Sequence, residues 1–203
     1  AIEVGIDTVA ELKEKGYNVF ATGEMGIGNT TTSSAVCSVL LDQSVEKVTG
    51  KGAGLTNKDL EHKIEVIKQS IALNQVDAND PLDVLSKVGG LDIAGMVGCY
   101  IGGAALQVPV FIDGFISSVA ALIAIRLVPE CAPYLFPSHC SNEPAGHLIL
   151  DAIGKEPYIL ANMCLGEGTG AVMGFTIADY AFKAYWELPS FEQTNFGTYE
   201  ELN

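Results

Sequence analysis

Basic side chains are scarce. The chain carries 11 Lys and Arg against 25 Asp and Glu, a formal charge of −14 at neutral pH. Such a surface repels phosphodiester backbones and anionic bilayers, which argues against nucleic acid or an anionic membrane as the main partner. Phosphate, if bound, must be held by backbone amides and one or two lysines. The five cysteines, Cys37, Cys99, Cys131, Cys140 and Cys164, include no C-x-x-C pair and no metal-ligand spacing. They read as reduced, mostly buried thiols of a cytoplasmic protein. No signal peptide is expected in the opening residues, an amphipathic stretch with Ile2, Ile6, Val9 and Leu12 at helical spacing. Long uninterrupted apolar runs are few. Residues 91–110 have about the length of a membrane span, but Asp92, Gln107 and Pro109 interrupt them, and Arg126 interrupts the run after Phe115. No membrane span is expected.

What the sequence does have is glycine in telling places. Residues 22–34 read Thr-Gly-Glu-Met-Gly-Ile-Gly-Asn-Thr-Thr-Thr-Ser-Ser, after the short apolar run Tyr17–Ala21. The run predicts a buried strand. Asn29 is a candidate N-cap for a helix over Thr30–Leu41, so the loop and helix start form a potential anion cradle. The loop lacks the Gly-Lys-Ser/Thr of a nucleotide-triphosphate loop and has no pair of adjacent acids. It holds a single carboxylate, Glu24, which is electrostatically awkward beside phosphate and asks for a chemical role.

The rest of the chain alternates helical and strand patterns. Ile2–Lys15 predicts a helix stopped by Gly16. Thr56 or Asn57 can cap a helix with Leu60, Ile64, Ile67 and Ile71 on one face. Lys63 lies beside that face, either solvated or turned toward a phosphate. Asp80-Pro81 starts a helix to Lys87, and the small residues of 95–105 suit a helix packed closely on a sheet. Val108–Ile112 predicts a strand ending at Asp113, which could contact a ribose or base, or cap the helix from Phe115. Leu135-Phe136 is a further strand, and His139 reads as a loop histidine satisfied by hydrogen bonds. A helix over Pro144–Ile153 follows. In Leu165-Gly-Glu-Gly-Thr-Gly-Ala171, Glu167 reads as a partly desolvated general base or as an acid placed by a helix dipole. The stretch 187–203 holds four glutamates and no base, the composition of a loose or partner-wrapped tail.

Five motifs stand in one order: Gly23-Glu-Met-Gly-Ile-Gly-Asn-Thr-Thr31, Asp83-Val-Leu-Ser-Lys-Val-Gly-Gly90, Asp113-Gly-Phe115, Pro133-Tyr-Leu135 with Pro137-Ser-His139, and Leu165-Gly-Glu-Gly-Thr-Gly-Ala171. Together they resemble the nicotinate-nucleotide:dimethylbenzimidazole phosphoribosyltransferase family. The resemblance implies a three-layer α/β/α fold with a parallel Rossmann-like sheet and part of a small helical domain. The domain would cover 1–186 and the tail 187–203. It implies a metal-independent, cofactor-free, cytoplasmic homodimer that moves phosphoribose from nicotinate mononucleotide to dimethylbenzimidazole. It places Glu167 as general base, Glu24 as a second acid, and Gly26, Gly28, Asn29, Thr30, Lys63, Gly90, Asp113, Ser138, Leu165 and Gly166 around the substrates. Members are normally much longer at the N-terminus, so the chain reads as the C-terminal part of such a protein. Another acceptor base or phenol, and a catalytically incomplete nucleotide-binding fragment, stay open as alternatives.

Overall fold

The structure, a computed structural model, describes residues 1–194. Its frame is a strand of wholly buried residues, β2 (Val110–Ile112), whose unbroken apolar sequence suits a central parallel strand. β1 (Phe20–Ala21) pairs with one side of it and β3 (Leu135–Pro137) with the other, both parallel. Registers run Phe20 to Val110 and Leu135 to Val110. A second parallel pair joins β4 (His139–Ser141) to β5 (Ile159–Met163). Ser138 is the hinge between the sheets: its N–H donates to Ile112 O at 3.0 Å, and its own carbonyl accepts from Ile159 N at 3.0 Å. The expected single sheet is therefore two short ones joined at one residue.

The strand predicted over 17–21 shrinks to Phe20–Ala21. Tyr17 and Val19 are 59% and 45% exposed, because β1 is paired on one side alone among the described residues and Gly16 turns the chain at φ +95° just before it. Helices supply the remaining mass. α1 (Ile2–Glu14), α2 (Asn29–Leu41), α3 (Val45–Val48), α4 (Asn57–Asn74), α5 (Pro81–Val88), α6 (Leu91–Ala105), α7 (Phe115–Leu127), α8 (Gly146–Ala152) and α9 (Thr169–Glu187) follow in order. Thr56 caps α4 by accepting from Asp59 N, and Asp80 caps α5 by accepting from Leu82 N and Asp83 N, as their sequences predict. α7 is buried from Phe115 to Ala124 and forms the centre of the core, touching α2, α5, α6 and α8. Its serines stay satisfied, Ser118 Oγ donating to Gly114 O at 2.8 Å.

The small residues of α6 face mainly a helix rather than the expected sheet. A Cβ at Gly98 would overlap the Ile2 carbonyl, and one at Gly5 the Gly95 carbonyl, so α1 and α6 meet backbone to backbone. Gly103 alone turns to the sheet, against Val110. α9 is only thinly anchored, with Gly170, Ala171 and Gly174 buried. Tyr180, Phe182, Tyr185 and Trp186 on it are more than 60% exposed. Between α9 and the sheet lies an apolar groove of about 740 Å³ walled by Phe111, Phe136, Tyr158, Phe175 and Phe182. Of the expected tail, Phe191–Gln193 forms one helical turn with a Ser190–Gln193 capping box, and 195–203 lie outside the described residues. No helix among the described residues is long and apolar enough to cross a membrane. Cys37, Cys131 and Cys140 are buried and Cys164 is exposed; burial pushes the Cys37 thiol up to about 12.

Packing and burial each lead to a measurable expectation. Gly98→Ala must force α1 and α6 apart, at a cost of about 1–3 kcal/mol, whereas Gly95→Ala, with nothing within 4 Å of its new methyl, should gain about 0.5–1 kcal/mol through helix propensity. Urea denaturation of the two variants reads the contrast. His139, 2% exposed, has its pKa lowered from 6.5 by burial, with the Asp113 carboxylate opposing in part. The unfolded chain therefore takes up a proton that the folded chain refuses, and stability should fall as pH drops below 6.5. Melting curves between about pH 7.5 and 5.5 should show a shallower acid-side decline for His139→Asn.

Candidate active site

Two glycine loops converge at the carboxyl ends of β1 and β2. Thr22 leaves β1 anchored by its hydroxyl, 2.7 Å from the Tyr100 hydroxyl, and by Thr22 N donating to Phe111 O at 3.0 Å. The loop then crosses the second one so closely that a Cβ at Gly23 would overlap the backbone of Gly168. Main-chain pairing seals the crossing, Glu167 N donating to Glu24 O at 3.2 Å. The glycine here is a matter of room, since any side chain would part the two loops.

Glu24 is half-buried, and its Oε1 accepts from Met25 N at 3.1 Å and from Asn29 Nδ2 at 3.1 Å. Asn29 is not the N-cap its sequence suggests. Gly28, at φ +88°, holds that position, and Asn29 opens α2 with its side chain turned back to Glu24 and to Asp92 Oδ2 at 3.0 Å. Glycine suits Gly28 because a left-handed φ is costly for other residues. Thr30 Oγ1 accepts from Lys63 Nζ at 2.9 Å, and Lys63 Nζ also donates to Gly50 O at 3.0 Å. Lys63 is 7% exposed, so it is turned inward. Burial lowers its pKa, with Glu143 opposing; burial likewise raises Glu143, with Lys63 opposing.

Asp113 does not cap α7, one of the two roles its position in the sequence allows. Gly114 precedes α7 without a side-chain cap, and the Asp113 carboxylate, 1% exposed, accepts from Gly168 N at 2.8 Å, Gly170 N at 2.9 Å and Ala171 N at 3.2 Å. It caps α9 from the end of β2, where three unpaired N–H groups and the positive end of the helix favour a carboxylate. The clamp fixes the loop in front of it. Gly166, Glu167 and Gly168 are successively left-handed at φ +72°, +59° and +82°. A left-handed glutamate between two left-handed glycines turns its side chain out of the loop, and Glu167 is exposed rather than partly desolvated.

The resulting pocket, about 350 Å³, brings together Glu24, Gly26, Thr30, Asp113, Leu165, Gly166 and Glu167. The other expected site residues stand behind its wall. Gly28 and Asn29 shape the start of α2, Gly90 precedes α6, Lys63 backs Thr30, and Ser138 is buried with its hydroxyl donating to Ile112 O at 2.7 Å. Sequence reasoning missed Glu143, Ser141 and Gly52, which also line the pocket. A signal for one existed: Gly50 and Gly52 belong to a glycine-rich turn of their own, Val48-Thr-Gly-Lys-Gly-Ala-Gly54, and a Cβ at Gly50 would overlap the Glu143 carboxylate. His139, read as a loop residue, begins β4 and lines the pocket floor, its Nδ1 3.2 Å from Ser138 Oγ and 3.8 Å from Asp113 Oδ1. Among the described residues no cluster of His, Cys, Asp and Glu offers a metal site. Two carboxylates on paired loops can withdraw a proton and stabilise positive charge on one ligand.

Comparison with known proteins gives this geometry a setting. The sequence model of a family described as phosphoribosyltransferase matches residues 1–196. The nicotinate-nucleotide–dimethylbenzimidazole phosphoribosyltransferase of Ruminiclostridium cellulolyticum is 52% identical over 202 residues, covering 100% of this chain and 57% of the relative. The protein of the same name from Acetivibrio thermocellus is 52% identical over 200 residues, 98% of this chain and 57% of its own length. The chain thus spans little more than half the length of these curated relatives. The crystal structure of CobT from Thermus thermophilus superposes with a TM-score of 0.87 at 31% identity, over 93% of this chain and 56% of that one. Sequence match and shared α/β fold lead to one conclusion: the chain belongs to the phosphoribosyltransferase family.

Proposed function

We propose that this chain carries the site for transfer of the phosphoribosyl group of nicotinate mononucleotide to 5,6-dimethylbenzimidazole, releasing nicotinate and giving α-ribazole 5′-phosphate. The observation that carries the reading is the pair of carboxylates, Glu24 and Glu167, on two loops joined by the Glu167 N to Glu24 O hydrogen bond at the mouth of one pocket. The names of the relatives supply the substrates.

The chemistry needs no metal to activate the leaving group, because the pyridinium nitrogen of the nucleotide is already cationic. As the N-glycosidic bond breaks, its electron pair neutralises that nitrogen and nicotinate departs. One benzimidazole nitrogen attacks C1′ from the opposite face, inverting it, while Glu167 takes the proton from the other nitrogen. Glu24 faces the sugar as positive charge develops there. The phosphate is placed at the N-terminus of α2, near Gly26, Gly28 and Thr30, with buried Lys63 supplying charge through the Thr30 wall. Asp113 contributes by holding the Glu167 loop through main-chain bonds. The reading carries a homodimer in the cytoplasm, with residues 1–186 as the catalytic unit; five free thiols agree with a reducing compartment.

A second reading has its own support. Glu167 is exposed and the chain spans 57% of its relatives' length, so the site could bind nucleotide without completing the acceptor pocket. Chromatographic detection of α-ribazole 5′-phosphate from both substrates, beside a calorimetric titration with nicotinate mononucleotide, separates the two. Product supports transfer, binding without product supports the incomplete site, and the absence of both rejects each of them. For the transferase, Glu167→Gln should lower kcat by about 10²- to 10⁴-fold with nucleotide affinity nearly unchanged. Glu24→Gln should lower kcat more than it raises KM, by about 10²- to 10³-fold. A loss confined to affinity would make Glu24 a binding residue.

A further inference from the structure

The Asn29 side chain holds an unusual position between two acids. Its Nδ2 lies 3.1 Å from Glu24 Oε1 and 3.0 Å from Asp92 Oδ2. The orientation of the amide follows from charge, since the opposite flip would press its oxygen against both carboxylates. One N–H proton thus goes to each acid, while the buried Oδ1 makes no hydrogen bond.

Asp92 does not line the pocket. It sits in the first turn of α6, half-buried, where the helix dipole favours its charge. Gly90, the residue before α6, leaves it the space: a Cβ at Gly90 would overlap Asp92 Oδ1. Gly90 therefore has a steric reason to be glycine that involves no ligand. On the other side, Glu24 uses one oxygen for the protein, Oε1 accepting from both Met25 N and Asn29 Nδ2. Among the described residues Oε2 has no hydrogen-bond partner.

We propose that Asp92 is a positioning residue for Glu24, acting through the Asn29 amide. Asp92 fixes one N–H of the amide, the amide then presents the other to Glu24 Oε1, and the carboxylate is held with Oε2 free for the sugar. Without Asp92 the amide turns about its last side-chain bond and Glu24 loses a fixed orientation. The inference rests on the transferase reading for its catalytic consequence, but the hydrogen-bond relay can be tested apart from turnover.

The test uses Asp92→Ala, Asp92→Asn and Asn29→Ala in the full chain. Asp92→Ala should lower kcat about ten- to a hundredfold, the scale of a misplaced catalytic group, with KM for nicotinate mononucleotide changed less than about threefold. Asp92→Asn keeps an oxygen acceptor of the same shape and should restore most of the rate. In an Asn29→Ala background, Asp92→Ala should add nothing further. The nuclear magnetic resonance signals of the Asn29 side-chain amide provide the independent readout. Asp92→Ala should move one of its two proton signals upfield, toward that of a solvent-exposed amide, and Asp92→Asn should move it less. Unchanged Asn29 signals in Asp92→Ala would overturn the proposal, as would equal rate losses for the Ala and Asn variants or additive losses with Asn29→Ala. If the wild-type chain makes no product, the transferase reading fails and the amide signals alone decide the relay. If Asp92→Ala does not fold, Asp92→Asn and Asn29→Ala decide it: loss of the Asn29 pattern in folded Asp92→Asn overturns it.

Discussion

The site depends on one carboxylate that lies beneath it. Asp113 ends the central strand and accepts three backbone N–H bonds from the start of α9. Hydrogen bonds to a charged acceptor are about twice as strong as neutral ones, and here they tie a helix with little buried surface to the best-buried strand. Without them α9 would be held mainly by Gly170, Ala171 and Gly174. The loop carrying Glu167 precedes those residues directly, so its place is set by β2. Its partner loop is fixed to the same strand by Thr22 N donating to Phe111 O. Both acids are thus referred to one rigid element.

Charge is managed in an otherwise acidic chain by careful placement of few cations. Glu24, Asp113, Glu143 and Glu167 all line the pocket. Lys63 is buried behind it, and its contacts are a hydroxyl and a carbonyl, with Glu143 as the carboxylate influencing it through space. Desolvation makes such a lysine costly, while the low local dielectric lets its field reach across the Thr30 wall. Glu24 is separated from Asp92 by an amide that donates to both, which spaces two like charges and gives each a hydrogen-bond donor.

Much of this was legible from local pattern. The helix starts at Thr56 and Asp80, the carboxyl end of β2 at Asp113 and the two glycine loops follow from capping, periodicity and turn chemistry, which act over a few residues. The failures share a cause. Asn29 looks like a cap because its neighbours in sequence make it one, yet its partners are Glu24 and Asp92, the latter 63 residues away. Asp113 looks like a cap for α7 and instead caps α9, 55 residues on. Lys63 leaves a solvated and an inward-turned reading open, because Gly50 and Thr30, whose oxygens hold it inward, lie outside α4. The exposure of Glu167 could not be read either, since its apolar neighbours Met163 and Leu165 leave the carboxylate open. The small residues of α6 signalled close packing correctly but not that the neighbour would be α1.

The left-handed run Gly166-Glu167-Gly168 has a bearing on how such a site can diversify. The main chain of this run is held by Asp113 and by Glu24 O, and neither bond uses the side chain at 167. The loop is a socket whose shape is independent of the group mounted in it. Any unbranched or short polar side chain that tolerates a left-handed backbone can be exchanged there without rebuilding the scaffold, whereas a β-branched one is refused on steric grounds. Chemistry at this position is therefore open to replacement by single steps, with the fold as a bystander.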